Sequence, residues 1–246
     1  MEKSKIVHWE RQGEIGFLSI SNGRENYLNT PDFVDINDLK KWTSEEGLKG
    51  IIITGLGRNF SAGANLDQLH ELAADEKLLH EKMNRGKEIL DFIEDLDIPV
   101  IASINGICFG GGLEIALACH LRVASPKALF AFPETNHGLI PGLGGTHRLT
   151  QLMGKKAFEL ILNGTMQDAQ LAKDTGLIDY LSDDKNSLEY STEFLKSMIE
   201  DRPVEVIKSV MQAIKNSTKM SKDEALKAET ELFCKLAVNV NAHQED

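Results

Sequence analysis

The chain has 246 residues, 41% of them hydrophobic and 26% charged, only six prolines and a formal net charge of −11. That composition excludes a disordered, collagen-like or low-complexity chain, and the length allows one large domain or two small ones around a sizeable core. The longer apolar stretches, such as Gly50–Gly55 and Ile98–Ile104, fall far below the ~18 to 20 residues of a membrane helix, so no membrane partner is expected. Met1 to Trp9 has neither the apolar core of a signal peptide nor the Arg/Ser bias of a transit peptide, and a cytoplasmic protein is expected. The net charge repels polyanions at long range and argues against a nucleic-acid surface, though not against a small anionic ligand held locally. Cys108, Cys119 and Cys234 sit among apolar neighbours without metal-ligand spacing and are expected to be buried thiols.

In chain order, Ile6–Trp9 and Ile15–Ile20 flank Gln12-Gly13 and predict a hairpin. Pro31 followed by Phe33, Ile36, Leu39 and Trp42 predicts a helix with proline in its first turn, and Ile51–Thr54 a buried strand. Leu79, Met83, Gly86, Leu90 and Ile93 mark one face of a long helix that stops before Pro99, and the strand Val100–Ile104 follows. After a glycine run come an apolar helix Leu113–Cys119, a strand Leu121–Ala124 and a short segment Leu129–Phe132. From Gly154 onward the pattern is helical: Lys156–Leu162, Asp168–Thr175, Ser187–Ile199, Val204–Ile214 and Ser221–Leu236, with a short strand near Leu177–Leu181. The chain therefore divides into an α/β front, residues 1–185, and a helical tail, residues 186–246, expected to share one core and one function.

Three glycine-bearing segments stand out: Asn59–Asn65, Asn105–Glu114 and Gly138–Arg148. Each is placed between a predicted strand and a predicted helix, where backbone N–H groups are free and glycine permits close approach. Two such loops could polarise one oxygen. Glu114 falls in the first turn of an apolar helix, and Glu134 follows Phe132-Pro133. Taken singly, each glycine segment reads equally as a tight turn, Glu114 as a complement to the helix dipole and Glu134 as a cap. Gly142-Leu-Gly-Gly-Thr-His lacks the third glycine of a dinucleotide loop, and neither His70-Glu71 nor His80-Glu81 has a zinc-protease spacing, so no metal is expected.

Taken together, Phe60-Ser-Ala-Gly-Ala-Asn-Leu66, Ile104-Asn-Gly with Gly110-Gly-Gly-Leu-Glu114, and Pro133-Glu134 with Gly138-Leu-Ile-Pro-Gly-Leu-Gly-Gly-Thr-His-Arg-Leu149 resemble the enoyl-CoA hydratase/isomerase (crotonase) family in order and spacing. The resemblance runs from about Ile15 to Leu181 and continues more weakly through Glu229–Phe233. It implies an α/β fold, a crotonase-like spiral of β-β-α units forming two nearly perpendicular sheets, with a helical C-terminal trimerisation region and a homotrimer or hexamer as the assembly. It also implies an acyl thioester substrate on coenzyme A or on a carrier-protein pantetheine, with no other cofactor. Residue by residue, the amides of Ala64 and Gly111 would form an oxyanion hole, with Ala62, Arg24 and Leu66 beside the substrate. Glu114 would activate the water that adds at Cβ, and Glu134 would deliver the proton to Cα. Keeping both glutamates favours hydration over isomerisation.

The sequence departs from the family pattern in places. Asn65 stands where Asp is usual, and His120 where Asp is common, which predicts the loss of a structural ion pair and no catalytic role for the histidine. Gly23 to Asn29 replaces an Asn-Arg-Pro segment while keeping Arg24 and Asn29; Arg24 reads equally as a phosphate contact and as a solvated turn residue. After Phe233 there is no basic, proline-containing tail of the kind that helps hold coenzyme A. That difference keeps open a second reading, an isomerase or dehydratase acting on a carrier-protein-bound polyketide intermediate. A third, a non-catalytic scaffold or RNA-binding member, is opposed by the intact glutamates and the acidic charge.

Overall fold

The computed structural model describes residues 6–183 and 186–242. Strands β1 (Val7–Gln12) and β2 (Ile15–Ile20) form the expected antiparallel hairpin, with Gln12 paired to Ile15 and Gly13 supplying the left-handed turn at φ 63°. The chain then runs through α1 (Ile36–Thr43), β3 (Gly50–Gly55), α2 (Leu66–Ala73), α3 (Glu76–Glu94), β4 (Val100–Ile104), β5 (Ile107–Phe109), α4 (Gly111–Ala118), β6 (Leu121–Ala124) and β7 (Leu129–Ala131). A 3-10 turn at Pro133–His137 leads to α5 (Gly145–Met153), α6 (Ala157–Leu162), β8 (Gln167–Asp168), α7 (Ala169–Thr175) and β9 (Tyr180–Leu181). Helices α8 (Ser187–Ile199), α9 (Val204–Lys219) and α10 (Lys222–Ala242) close the chain.

Two sheets result. The larger has the order β1-β2-β3-β4-β6-β9, parallel from β2 onward, and the smaller has the order β5-β7-β8. Every residue of β3 and β4 is buried, which is why both strands read as unbroken apolar runs rather than alternating ones. Helix α8 lies on the large sheet so closely that a Cβ on Gly50 would come within 2.8 Å of the Leu195 side chain. Leu195, Ile199 and Ile207 belong to the same buried cluster as Leu18, Ile52 and Val100. The boundary expected at residue 185 falls outside the described residues.

Several elements differ from the expectation. Pro31 is not in a helical first turn: α1 begins at Ile36, because Asp35 supplies the capping oxygen that accepts from the Asn37 amide at 2.7 Å. Helix α2, β5 and β8 are additional to the predicted elements. Cys108 and Cys119 are buried, but Cys234, on α10, is exposed. His120 does structural work in place of an acidic residue: its Nδ1 accepts from the Val100 amide at 2.9 Å and its Nε2 lies 3.2 Å from the Glu94 carbonyl. Burial holds its pKa below the ordinary histidine value, so the neutral ring with the proton on Nε2 joins the end of α3 to the start of β4.

The loop that leads to Ala64 is anchored by Asn26, fully buried in the left-handed region at φ 50°. Its amide donates to the carbonyls of Leu56 and Asn59, and its own carbonyl accepts from the Ser61 hydroxyl at 2.7 Å. Asn26→Ala should therefore lower the free energy of unfolding by about 2 to 4 kcal/mol, since two carbonyls lose their donor in a dry site. Urea denaturation checks this; a loss below about 0.5 kcal/mol would show that water replaces the amide.

Candidate active site

Three chain segments converge at the ends of the two sheets. In the first, Ser61 is stitched to β5 by hydrogen bonds from its amide to Ile107 and from the Phe109 amide to its carbonyl. Leu28 then bonds the residues on either side of Ala64, donating to the Gly63 carbonyl at 2.8 Å and accepting from the Asn65 amide at 3.1 Å. Ala64 is left with a free N–H between them. In the second segment, the Gly110 amide donates to Ala131, the Gly110 carbonyl accepts from the Glu114 amide, and Gly111 opens α4 with its own N–H free. Among the described residues neither the Ala64 nor the Gly111 amide has a hydrogen-bond partner, and both residues line the same cavity.

Glycine is obligatory here for contact as much as for conformation. At Gly63, φ is 85°, and a Cβ would come within 2.7 Å of the Phe109 carbonyl and 3.1 Å of the Gly111 nitrogen. The two backbones touch at this point, and that contact sets their free amides side by side.

The carboxylates come from different elements. Glu114 is 2% exposed on α4, and its Oε1 accepts from the amides of Leu143 at 2.6 Å and Gly145 at 2.8 Å, at the start of α5. Burial raises its pKa, opposed by those two amides and by the charges of Arg148 and Lys87. Glu134, on the 3-10 turn, has a buried Oε2 with no partner. Burial pushes it up to about 7, with the Glu114 charge raising it further and its own backbone amide opposing. Of the two, Glu114 has the donors and cations that favour its anion, and Glu134 has an oxygen without a partner.

Both carboxyl groups line a cavity of about 420 Å³, walled largely by apolar side chains including Leu69, Leu79, Met83, Ile140 and Leu143, with Asn29, Thr30, Asn65, His70 and His137 also on its lining. An adjoining cavity of about 370 Å³ shares Ala64, Leu66 and Glu134 and continues past Ala62 and Tyr27. Ala62, Ala64, Leu66, Gly111, Glu114 and Glu134 are thus brought together. Arg24 is not among them: it is exposed, lies 4.0 Å from Glu25, and lines a separate depression with Arg58 and Lys127. Asn65 caps α2, its Oδ1 accepting from the amides of Asp67 and Gln68, so the change from the family's aspartate keeps the cap. Among the described residues no group of three or more His, Cys, Asp or Glu could hold a metal ion, and no helix is long and apolar enough to cross a membrane.

Sequence reading missed Arg148, which is buried and bonded to the Leu143 carbonyl, and missed the Leu143 and Gly145 amides that hold Glu114. An arginine next to Leu149 on the inner face of a short helix was the available signal.

The enoyl-CoA hydratase/isomerase family model matches residues 23–244, and the chain belongs to that family. A probable enoyl-CoA hydratase of Bacillus subtilis is 33% identical over 223 residues, covering 89% of this chain and 85% of the relative. The 2,3-dehydroadipyl-CoA hydratase of Escherichia coli is 30% identical over 237 residues, covering 95% and 91%. A crystal structure of an enoyl-CoA hydratase from Bacillus anthracis superposes with a TM-score of 0.84 at 27% identity, over 98% of this chain and 96% of that one. The fold is the crotonase fold with a helical C-terminal region, and the protein is an enoyl-CoA hydratase-like enzyme.

If the two carboxyl groups share a proton as their surroundings dictate, Glu134 observed by carboxyl carbon NMR should titrate near 7, well above an ordinary glutamate. Glu114→Gln should move that midpoint down, because it removes the neighbouring negative charge. A Glu134 midpoint below 5, or one indifferent to Glu114→Gln, would break the coupling.

Proposed function

We propose that the enzyme adds water across the double bond of a trans-2-enoyl thioester of coenzyme A, or runs the reverse dehydration. The observation that carries this reading is the meeting of two free amides and two buried carboxyl groups with unlike surroundings in one cavity. The thioester oxygen accepts hydrogen bonds from Ala64 and Gly111, which stabilise the negative charge that develops as the thioester becomes an enolate; one such donor is typically worth ~10² to 10³ in rate. A water between the carboxyl groups loses its proton to Glu114 as its oxygen bonds to Cβ. Glu134 gives its proton to Cα. The electrons of the carbon–carbon double bond end in the new C–H bond, so no redox step is required.

The largely apolar wall beyond Glu114 suits a hydrocarbon acyl chain, and the adjoining cavity past Ala62 and Tyr27 suits the pantetheine arm. Exposed apolar side chains on the last two helices, among them Val210, Ile214, Phe233 and Val238, support assembly with further copies of the chain as a trimer or hexamer.

Incubation with crotonyl-CoA, followed by loss of enoyl absorbance, tests the reaction. Glu114→Gln and Glu134→Gln should each lower kcat by about 10² to 10⁴ with unchanged circular dichroism. The hydration rate should fall as pH rises through about 7, where Glu134 gives up the proton it must donate. Near-wild-type turnover in either variant on a substrate the wild type hydrates would overturn the two-glutamate assignment.

A further inference from the structure

We propose that Arg148 is a positioning residue for the reaction: by clamping the loop that carries the Leu143 and Gly145 amides, it fixes the direction in which Glu114 presents its carboxylate. This goes beyond the two-glutamate mechanism while resting on Glu114 as the group that activates water.

Glu114 is aimed by Leu143 and Gly145, two amides flanking a residue at φ 96°, Gly144. Those residues precede and begin a helix, so their carbonyls and amides are not ordered by a sheet ladder. Arg148 supplies the missing order. Its Nη1 donates to the Leu143 carbonyl at 2.9 Å, on the same residue whose amide holds Glu114. Its Nε donates to Glu94 at 2.7 Å and its Nη2 to Asp91, two carboxylates three residues apart on α3. One planar guanidinium therefore ties the loop to a different helix along three directions, a geometry that a lysine ammonium cannot reproduce. Gly144 is part of the same device: a Cβ there would lie 2.6 Å from Nη1 of Arg148.

Stability alone explains this arrangement poorly. Arg148 is 8% exposed, and a guanidinium taken out of water to meet partly exposed carboxylates recovers little net free energy over an apolar replacement. Such a cation is better accounted for by the geometry it enforces. The charges that bear on Glu114 are Glu134 from the 3-10 turn, Lys87 from α3 and Arg148 from α5. Arg148 itself faces Asp91 and Glu94, and His120 touches the backbone carbonyl of Glu94. Losing Arg148 removes both the clamp and one of the two positive charges that favour the Glu114 anion.

The test compares Arg148→Gln, Arg148→Lys, Glu114→Gln and, as a control, Arg85→Gln, which removes an exposed arginine paired with Glu81 on α3. Crotonyl-CoA hydration is followed against pH, with circular dichroism as the check on folding. Arg148→Gln should lower kcat at least tenfold, change KM by less than threefold, and move the limb of kcat/KM that rises with Glu114 ionisation upward by about one pH unit. Arg148→Lys should return that limb to its wild-type position while recovering only part of kcat, since the charge is restored and the fork is not. Arg85→Gln should leave both unchanged. A folded Arg148→Gln with wild-type kcat and an unmoved limb overturns the proposal. Should Arg148→Gln fail to fold, Arg148→Lys carries the test alone, and wild-type kcat in it overturns the proposal equally. If Glu114→Gln is inactive while both Arg148 variants behave as wild type, only the role of Arg148 falls. If Glu114→Gln keeps its turnover, the assignment of Glu114 falls instead.

Discussion

A carboxylate removed from water must be met by donors or take up a proton, and the two glutamates of this cavity follow the two different courses. Glu114 receives two backbone amides and the fields of Arg148 and Lys87, whereas Glu134 has an oxygen with no partner and a pKa displaced to about 7. The two environments are unequal within one cavity, and the segments around them keep the inequality.

Keeping it depends on backbones that approach more closely than side chains permit. Gly63 lets the first loop touch the start of α4, Gly110 gives its space to a Glu134 oxygen, and Gly145 gives its space to Glu114, whose Oε1 would lie 2.9 Å from a Cβ there. Each of these glycines faces a group from another part of the chain. The second sheet contributes directly, since β5 and β7 pair in parallel and deliver Phe109 and Ala131 to the base of α4. The large sheet supplies the rigid floor: β3 and β4 are wholly buried and held from the far face by α8.

At two departures from the family pattern the residues present have structural partners of their own. Asn65 caps α2 through a neutral oxygen where an aspartate would cap through a charged one. His120 satisfies the Val100 amide and reaches the Glu94 carbonyl, so the junction between α3 and β4 is held by neutral hydrogen bonds. The same Glu94 accepts from Arg148 through its side chain. The end of α3 is thereby joined both to the sheet and to the loop that holds Glu114.

Local pattern determined much of this protein. The hairpin around Gly13, the apolar runs of β3 and β4, the long helix through Leu90 and Ile93, and the order of the three glycine segments were legible because each depends on residues close together in the chain. The candidate residues Ala64, Gly111, Glu114 and Glu134 were legible through the spacing of those segments and what it resembles. Short strands were not: β5 and β8 are made by pairing with distant strands, as in the bridge that joins Ser61 to Cys108. Only the tertiary structure decided which backbone amides meet Glu114 and that Arg24 lies outside the cavity. Only it showed that Arg148 stands behind Glu114. Those outcomes depend on burial and on donors from Leu143 and Gly145, 29 and 31 residues away, and no local periodicity encodes contacts at that distance.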